Sequence, residues 1–399
     1  MAKLIWMVLL LLRPPQDEPT IPKSEYQERC RKLGRVLNDG LVVLRAPNLT
    51  EGEAGLDQNT ACFDFSYLAG PYRPGAVLVL QEETAILFVQ EVEEAKKTGM
   101  VDNVRPLDQY EKFVKEVLPA AKKVYDWRHP WAKENKLASQ KFKESNPGLQ
   151  VRTNVNDEIT KLRVVKSESE LRCLRKAATS TNRAHVNAMK SCKAGMNEGA
   201  LQKVIEDTFR KEGCPRNAFP CIVGSGKNGT ILHYMENKEE MKAETIVVVD
   251  IGAEYLGYAA DITRTLPVDG KFTAEHRKAY QAVLDAQKAA EKALKPGAKW
   301  GDLDRAAAKV LRDRGYAKTG YTNFHGLGHF VGLSVHDSGT YGEAFEPGMV
   351  ITIEPGIYDK KAAYGIRIED TYVVTKDGFE RISAEAPREV EEVEALMKK

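Results

Sequence analysis

Thr245-Ile-Val-Val-Val-Asp250-Ile-Gly252, followed by Gly257-Tyr-Ala-Ala-Asp261-Ile-Thr-Arg-Thr265, is the stretch that decides the fold. A run of β-branched residues marks a buried strand, yet it ends in a carboxylate. Burying that charge is costly unless a cation or several donors neutralise it. Glu254 to Gly257 suits the turn of a hairpin, with Asp261 on the returning strand, so that both acids face one point. A lone Asp at a strand end is ordinarily a turn or cap residue. Here the pattern recurs. Met349-Val-Ile-Thr-Ile-Glu354-Pro-Gly356 ends a second apolar strand in an acid, and Gly365-Ile-Arg-Ile-Glu369-Asp370-Thr-Tyr-Val-Val374 carries Glu369 inside the strand that follows. Alternation puts Arg367 and Glu369 on one face and Ile366 and Ile368 on the other. Four carboxylates gathered without cations repel, so one or two divalent ions are the simplest resolution.

An internal echo supports a paired design. A constant offset of 102 residues relates Gly195 to Gly297, Gly199 to Gly301, Leu201 to Leu303, Arg210 to Arg312 and Gly213 to Gly315. Each match alone is weak, but several in one register argue for two related half-domains. Upstream, residues 24–155 alternate helical and strand-like patterns. Leu41–Leu44, Ala76–Leu80 and Thr84–Val89 read as strands, and Gln109–Val124 as an amphipathic helix. These patterns predict an α/β N-terminal domain over residues 24–160 and an α+β C-terminal domain over 161–399. Ser167 and Ser169 precede a long helix over Glu170–Cys192, and Glu168 and Glu170 suit its positive end. A short helix within Ala386–Lys399 is expected to dock by Val390, Val393 and Leu396.

Composition removes other function classes. Lys+Arg 59 against Asp+Glu 57 leaves a net charge of +2, which gives no reason to expect nucleic acid as a partner. The six cysteines form no C-x-x-C pair, which disfavours a zinc ribbon, a thioredoxin-like motif or a disulfide scaffold. The apolar run Leu4–Leu12 is far shorter than the roughly 20 residues that cross a bilayer, so no transmembrane segment is expected. Residues 1–23 read as an irregular tail, Pro-rich from Arg13, or as a signal-like segment without a small-x-small cleavage site. A cytoplasmic location is favoured, with export as the alternative.

The histidines complete the chemistry. In His325-Gly-Leu-Gly-His329-Phe-Val-Gly-Leu-Ser-Val-His336-Asp337, glycines at 326, 328 and 332 make a regular helix unfavourable. His325 and His329 have the spacing of a helical zinc pair, but the glutamate of H-E-x-x-H is missing. One imidazole of this loop is read as a metal ligand and another as catalytic, against the plainer alternative of satisfied loop histidines. Gly224-Ser-Gly-Lys-Asn-Gly229 mimics a dinucleotide fingerprint without its βαβ setting, and is read as a loop delivering His233 to a cleft.

Asp250, Asp261, His329, Glu354 and Glu369 stand in contexts that resemble the pita-bread metallopeptidases (creatinase/methionine aminopeptidase-like), and most closely the Xaa-Pro aminopeptidases, or aminopeptidase P. The segments HGLGHFVGLSVHD, VITIEPGIY, GIRIEDTYVVT, ILHYMEN and PREVEEVEALM carry that likeness, with Gln58-Asn59 and Phe65–Gly70 as a weaker match in the N-terminal domain. The resemblance implies a pita-bread domain with an internal pseudo-two-fold and a hydroxide activated at a dinuclear centre, which releases the N-terminal residue from Xaa-Pro peptides. Asp250 would then chelate one ion, Asp261 and Glu369 would bridge the two, and His329 and Glu354 would complete the other. Mn²⁺ is the expected ion, with Zn²⁺, Co²⁺ or Fe²⁺ as alternatives. Glu354 would also shuttle the proton. His233 and His336 would steady the substrate and its oxyanion. His325 and Arg367 would line the substrate pocket, Arg367 holding the bridging glutamate. The implied partner is a peptide with proline at its second position, and a homo-oligomer is expected. Prolidase, which shares the metal set, is the competing enzyme; a pita-bread domain that binds proteins without catalysis is the competing class.

Overall fold

The computed structural model describes residues 18–47, 60–71, 73–126, 144, 146–152 and 155–398. The Leu4–Leu12 run and Gln58-Asn59 lie outside these residues. Of the expected tail, Ile21 is packed into the core rather than left in solvent, and Pro22 caps the start of the first helix.

The N-terminal half is a six-stranded mixed sheet, order β4-β3-β2-β1-β5-β6. Its strands are β1 (Leu41–Arg45), β2 (Val77–Gln81), β3 (Thr84–Val89), β4 (Asn103–Pro106), β5 (Lys123–Asp126) and β6 (Gln150–Arg152). Helices α1 (Lys23–Val36), α2 (Thr60–Ala69), α3 (Val92–Thr98) and α4 (Tyr110–Val117) accompany it. The three strands expected from apolar runs are present within a residue or two. The expected helix over Gln109–Val124 is shorter: α4 ends at Val117, a 3-10 turn holds Pro119, and Lys123 begins β5 beside β1. Proline has no N–H to donate, so the helical ladder cannot pass through it.

Helix α5 (Asn156–Val164) leads to α6 (Glu168–Ser191), whose start is fixed by a capping box between Ser167 and Glu170. The 102-residue echo is structural. Helices α7 (Glu198–Lys211) and α9 (Trp300–Asp313) begin and end at that offset, and α6 and α8 (Ala274–Ala293) end at it too. Gly213 and Gly315 follow α7 and α9 with φ of +80° and +89°, the left-handed conformation that closes a helix and favours glycine.

After α7 come β7 (Arg216–Asn217), β8 (Ile222–Ser225), β9 (Ile246–Ile251), β10 (Ala253–Tyr255), β11 (Tyr258–Ala259) and β12 (Ile262–Pro267). After α9 come β13 (Val350–Ile353), β14 (Gly356–Asp359), β15 (Tyr364–Arg367), β16 (Asp370–Thr375) and β17 (Gly378–Arg381). Strand β9 pairs antiparallel with β12, and β13 with β16. The two halves are tied where Glu369 N–H donates to the Thr263 carbonyl (3.1 Å) and Thr265 Oγ1 to that of Arg367 (2.9 Å). The C-terminal helix α10 (Val390–Met397) docks by Val390, Val393 and Met397, with Leu396 only partly covered.

His185 on α6 illustrates how tightly this half is packed. It is fully buried, with Nε2 2.9 Å from the Ile262 carbonyl, and burial followed by the nearby Arg264 charge pushes its pKa down to about 3. Between an unfolded value of 6.5 and about 3, the unfolded chain binds one more proton here than the folded chain. Stability therefore falls as pH drops through that window, by up to about 1.4 kcal/mol per pH unit. Urea unfolding of His185→Gln, whose amide can still donate to Ile262, is expected to show a shallower acid dependence than the wild type.

Candidate metal centre

The five expected ligands come from both halves of the repeat. Asp250 lies near the end of β9, opposite Thr263 in the antiparallel register. Glu354 follows β13 directly. The other two acids occupy matching places: Asp261 sits in the two-residue break between β11 and β12, and Glu369 in that between β15 and β16. Glu369 is thus not inside a continuous strand, as alternation had suggested. The chain stops pairing with β14, pauses at Ile368-Glu369 and resumes against β13. Such an interruption re-aims a side chain that the pleat would otherwise send elsewhere.

His329 arrives on an irregular loop, as its glycines require. A Cβ on Gly328 would stand 2.3 Å from the Thr352 carbonyl, so only glycine lets this loop run against β13. His329 N–H donates to Thr352 Oγ1 (3.0 Å), and Nδ1 lies 3.1 Å from the Phe330 carbonyl. An Nδ1–H donated to that carbonyl leaves Nε2 with its lone pair aimed inward. Around Nε2 stand Asp261 Oδ2 (3.3 Å), Glu354 Oε1 (3.3 Å) and Glu369 Oε1 (4.0 Å). Asp261, His329 and Glu369 offer ligand atoms all within 4.8 Å of one another.

Electrostatics show what is missing from the protein alone. Asp250 Oδ1, Asp261 Oδ1 and Glu369 Oε1 are buried with no hydrogen-bond partner. Burial, then Asp250 and Glu354, raises the Asp261 pKa well above the usual carboxylate range; burial, then Asp261 and Glu354, does the same for Glu369. Oxygen donors that no protein group satisfies, converging with an imidazole, fit divalent cations. Binding a cation would displace protons from these acids, so affinity should rise with pH.

The flanking groups were partly legible in the sequence. Arg367 is buried, and its Nη2 donates to Asp250 Oδ2 (2.7 Å). Its anchor is therefore Asp250 rather than Glu369, the glutamate expected to bridge; Glu369 Oε2 instead accepts from Thr263 Oγ1 (2.6 Å). Tyr358 Oη joins His325 Nε2 (2.9 Å) to Arg367 Nη1 (3.0 Å). Burial lowers the His325 pKa, and among the opposing and reinforcing charges is that of His233, an exposed neighbour. His336 is also exposed, its ring edge-on to that of His329 at 4.2 Å. The segment before His233 is a 3-10 stretch and turn, and β8 ahead of it pairs antiparallel with β9. The glycines therefore do not open a helix of a βαβ unit, as a dinucleotide fingerprint would.

Thr263, Thr352 and Tyr358 were missed, although a signal existed for the threonines. Thr263 lies two residues after Asp261, and Thr352 two before Glu354, which is the spacing of a shared strand face.

Metallopeptidase family M24 matches residues 172–376. The chain is 32% identical to the Xaa-Pro aminopeptidase of Escherichia coli (strain K12), over 94% of its own length and 98% of that protein. It is 28% identical to the human Xaa-Pro dipeptidase, over 98% of this chain and 95% of that one. Among solved structures, Zn-substituted E. coli aminopeptidase P in complex with product matches with a TM-score of 0.83 at 29% identity, covering 94% of this chain and 98% of the other. The chain belongs to metallopeptidase family M24. It has the pita-bread fold, and it is a metallo-exopeptidase. No helix among the described residues is long and apolar enough to cross a membrane.

Proposed function

We propose that this enzyme releases the N-terminal residue from peptides whose second residue is proline. The reading rests on the convergence of Asp261, His329 and Glu369 with three unsatisfied buried carboxylate oxygens, and on the aminopeptidase relatives. Asp250, Asp261 and Glu369 would hold one ion, and Asp261, Glu369, His329 and Glu354 the other; four carboxylates and one imidazole fit a hard to borderline ion, Mn²⁺ by likeness to the family, with Zn²⁺, Co²⁺ or Fe²⁺ as alternatives. When bound, such a pair lowers the pKa of water and polarises the scissile carbonyl.

The chain's own groups do the rest. Glu354 exposes 15% of its side chain, against 11, 7 and 2% for Asp250, Asp261 and Glu369, so it is the acid best able to exchange a proton with the reaction. It would take the proton from water and pass it to the leaving proline nitrogen. His233 and His336, at the exposed rim, would orient the peptide and donate to the developing oxyanion. Arg367 keeps Asp250 aimed inward, and Tyr358 keeps His325 at the pocket wall.

The alternative is a dipeptidase restricted to Xaa-Pro, motivated by the equally extensive match to the human Xaa-Pro dipeptidase. The two readings part on substrate length. With Mn²⁺ added, an Xaa-Pro-Yaa tripeptide is expected to be cut at the Xaa–Pro bond faster than the Xaa-Pro dipeptide, and either rate should collapse with chelator. Cleavage of the dipeptide alone would assign the dipeptidase.

A further inference from the structure

Four charged side chains are sealed beneath the loop that carries His329 and His336. Arg163 on α5, Lys166 just beyond it, Asp64 on α2 and Asp337 in the loop each expose 4% or less. Arg163 Nη1 donates to Asp64 Oδ1 (2.7 Å), Arg163 Nη2 donates to Asp337 Oδ1, and Lys166 Nζ lies 3.0 Å from Asp337 Oδ2. Two cations and two anions balance. Asp337 also closes the loop through its backbone, donating its N–H to the Phe330 carbonyl (2.8 Å). The carboxylate fills the space beside Gly332, where a Cβ would meet Asp337 Oδ2 at 2.0 Å. Apolar residues of the same loop, Val331, Leu333 and Val335, share a core with Phe65 and Leu68 of α2.

A buried ion cluster is weak evidence for stability, since a well-packed apolar set commonly serves as well. What it supplies is direction. A guanidinium with one arm on each half of the molecule fixes the angle at which Asp337 leaves the loop, and Asp337 is the residue after His336. We infer that Arg163, gripped by Asp64 of the N-terminal half, is a positioning residue that holds His336 toward the substrate. The N-terminal half then contributes to turnover through Asp337. This rests on the role proposed for His336.

The test is a double-mutant cycle on the Mn²⁺-loaded full chain. Asp64→Asn combined with Arg163→Gln removes one charge of each sign and leaves Lys166 on Asp337, which favours folding; Asp64→Asn alone, which keeps Arg163 on Asp337, gives a milder second variant. In the wild-type background the pair is expected to lower kcat/KM about 10- to 30-fold with metal content unchanged, whereas His336→Ala lowers it about 100-fold. In the His336→Ala background the same pair should cost less than about threefold, because its target is gone. Full multiplication of the two effects would overturn the inference, as would a parallel loss of bound metal, which would mean that the cluster acts through His329. Wild-type turnover in His336→Ala would instead remove the role of His336, a result separable from failure of the cycle.

Discussion

Asp261→Ala is expected to abolish peptide hydrolysis, a loss of about 10⁴-fold or more, while the metal-free protein melts no earlier than the wild type. The two halves of this expectation have one cause. Asp261 is buried beside Asp250 and Glu354 with one carboxylate oxygen unsatisfied, so without a cation its ionised form is opposed by burial and by both neighbours. The methyl group removes that opposition and costs the fold little. With cations present the balance reverses, since the same oxygens are the donors that would hold both ions. The wild type should therefore gain thermal stability from Mn²⁺, and the variant should gain far less. Melting curves with and without Mn²⁺, paired with metal analysis, separate this from general damage. His329→Ala is expected to behave alike in activity, although it also loses the contact of Nδ1 with the Phe330 carbonyl. An Asp261→Ala protein that binds two ions and turns over would remove the basis of the site.

Much of this centre was legible in the sequence because costly residues stand out against apolar strands. Asp250 after Ile-Val-Val-Val and Glu354 after Val-Ile-Thr-Ile have few reasons to be there; the charge of Asp250 acts on Asp261, and Glu354 Oε1 lies 3.3 Å from His329 Nε2. The repeat was legible for a related reason: glycines that end helices in the left-handed conformation cannot readily be replaced, so Gly213 and Gly315 keep their offset. Strand breaks were not legible. Nothing in Ile366-Arg367-Ile368-Glu369-Asp370 marks the switch of pairing partner from β14 to β13, because each residue is compatible with a continuous strand. The target of Arg367 was hidden for the same reason, since choosing Asp250 over Glu369 depends on β9 lying across β15. The Asp64–Arg163–Asp337 link joins residues 99 and 174 positions apart, beyond the reach of any local pattern.

Glu354→Gln is expected to lower kcat about 10³-fold with little change in KM. The amide preserves the volume of the side chain and one oxygen that can still accept from Thr352 Oγ1, now 3.2 Å from Glu354 Oε1. What it cannot do is take up a proton and release it. A tertiary amide nitrogen is a poor leaving group until protonated, so the missing shuttle falls on the step in which the Xaa–Pro bond breaks, not on binding. The distinction from a purely ligating role is measurable. An ester analogue of the substrate, whose oxygen leaves with less help from an acid, should show a much smaller deficit in the variant than the peptide does. Equal deficits for ester and peptide, together with loss of one ion per chain, would mean that Glu354 serves only to hold metal and that the proton travels by another route. His325, whose Nδ1 lies 3.9 Å from Glu354 Oε2, would then be the first group to test as its carrier.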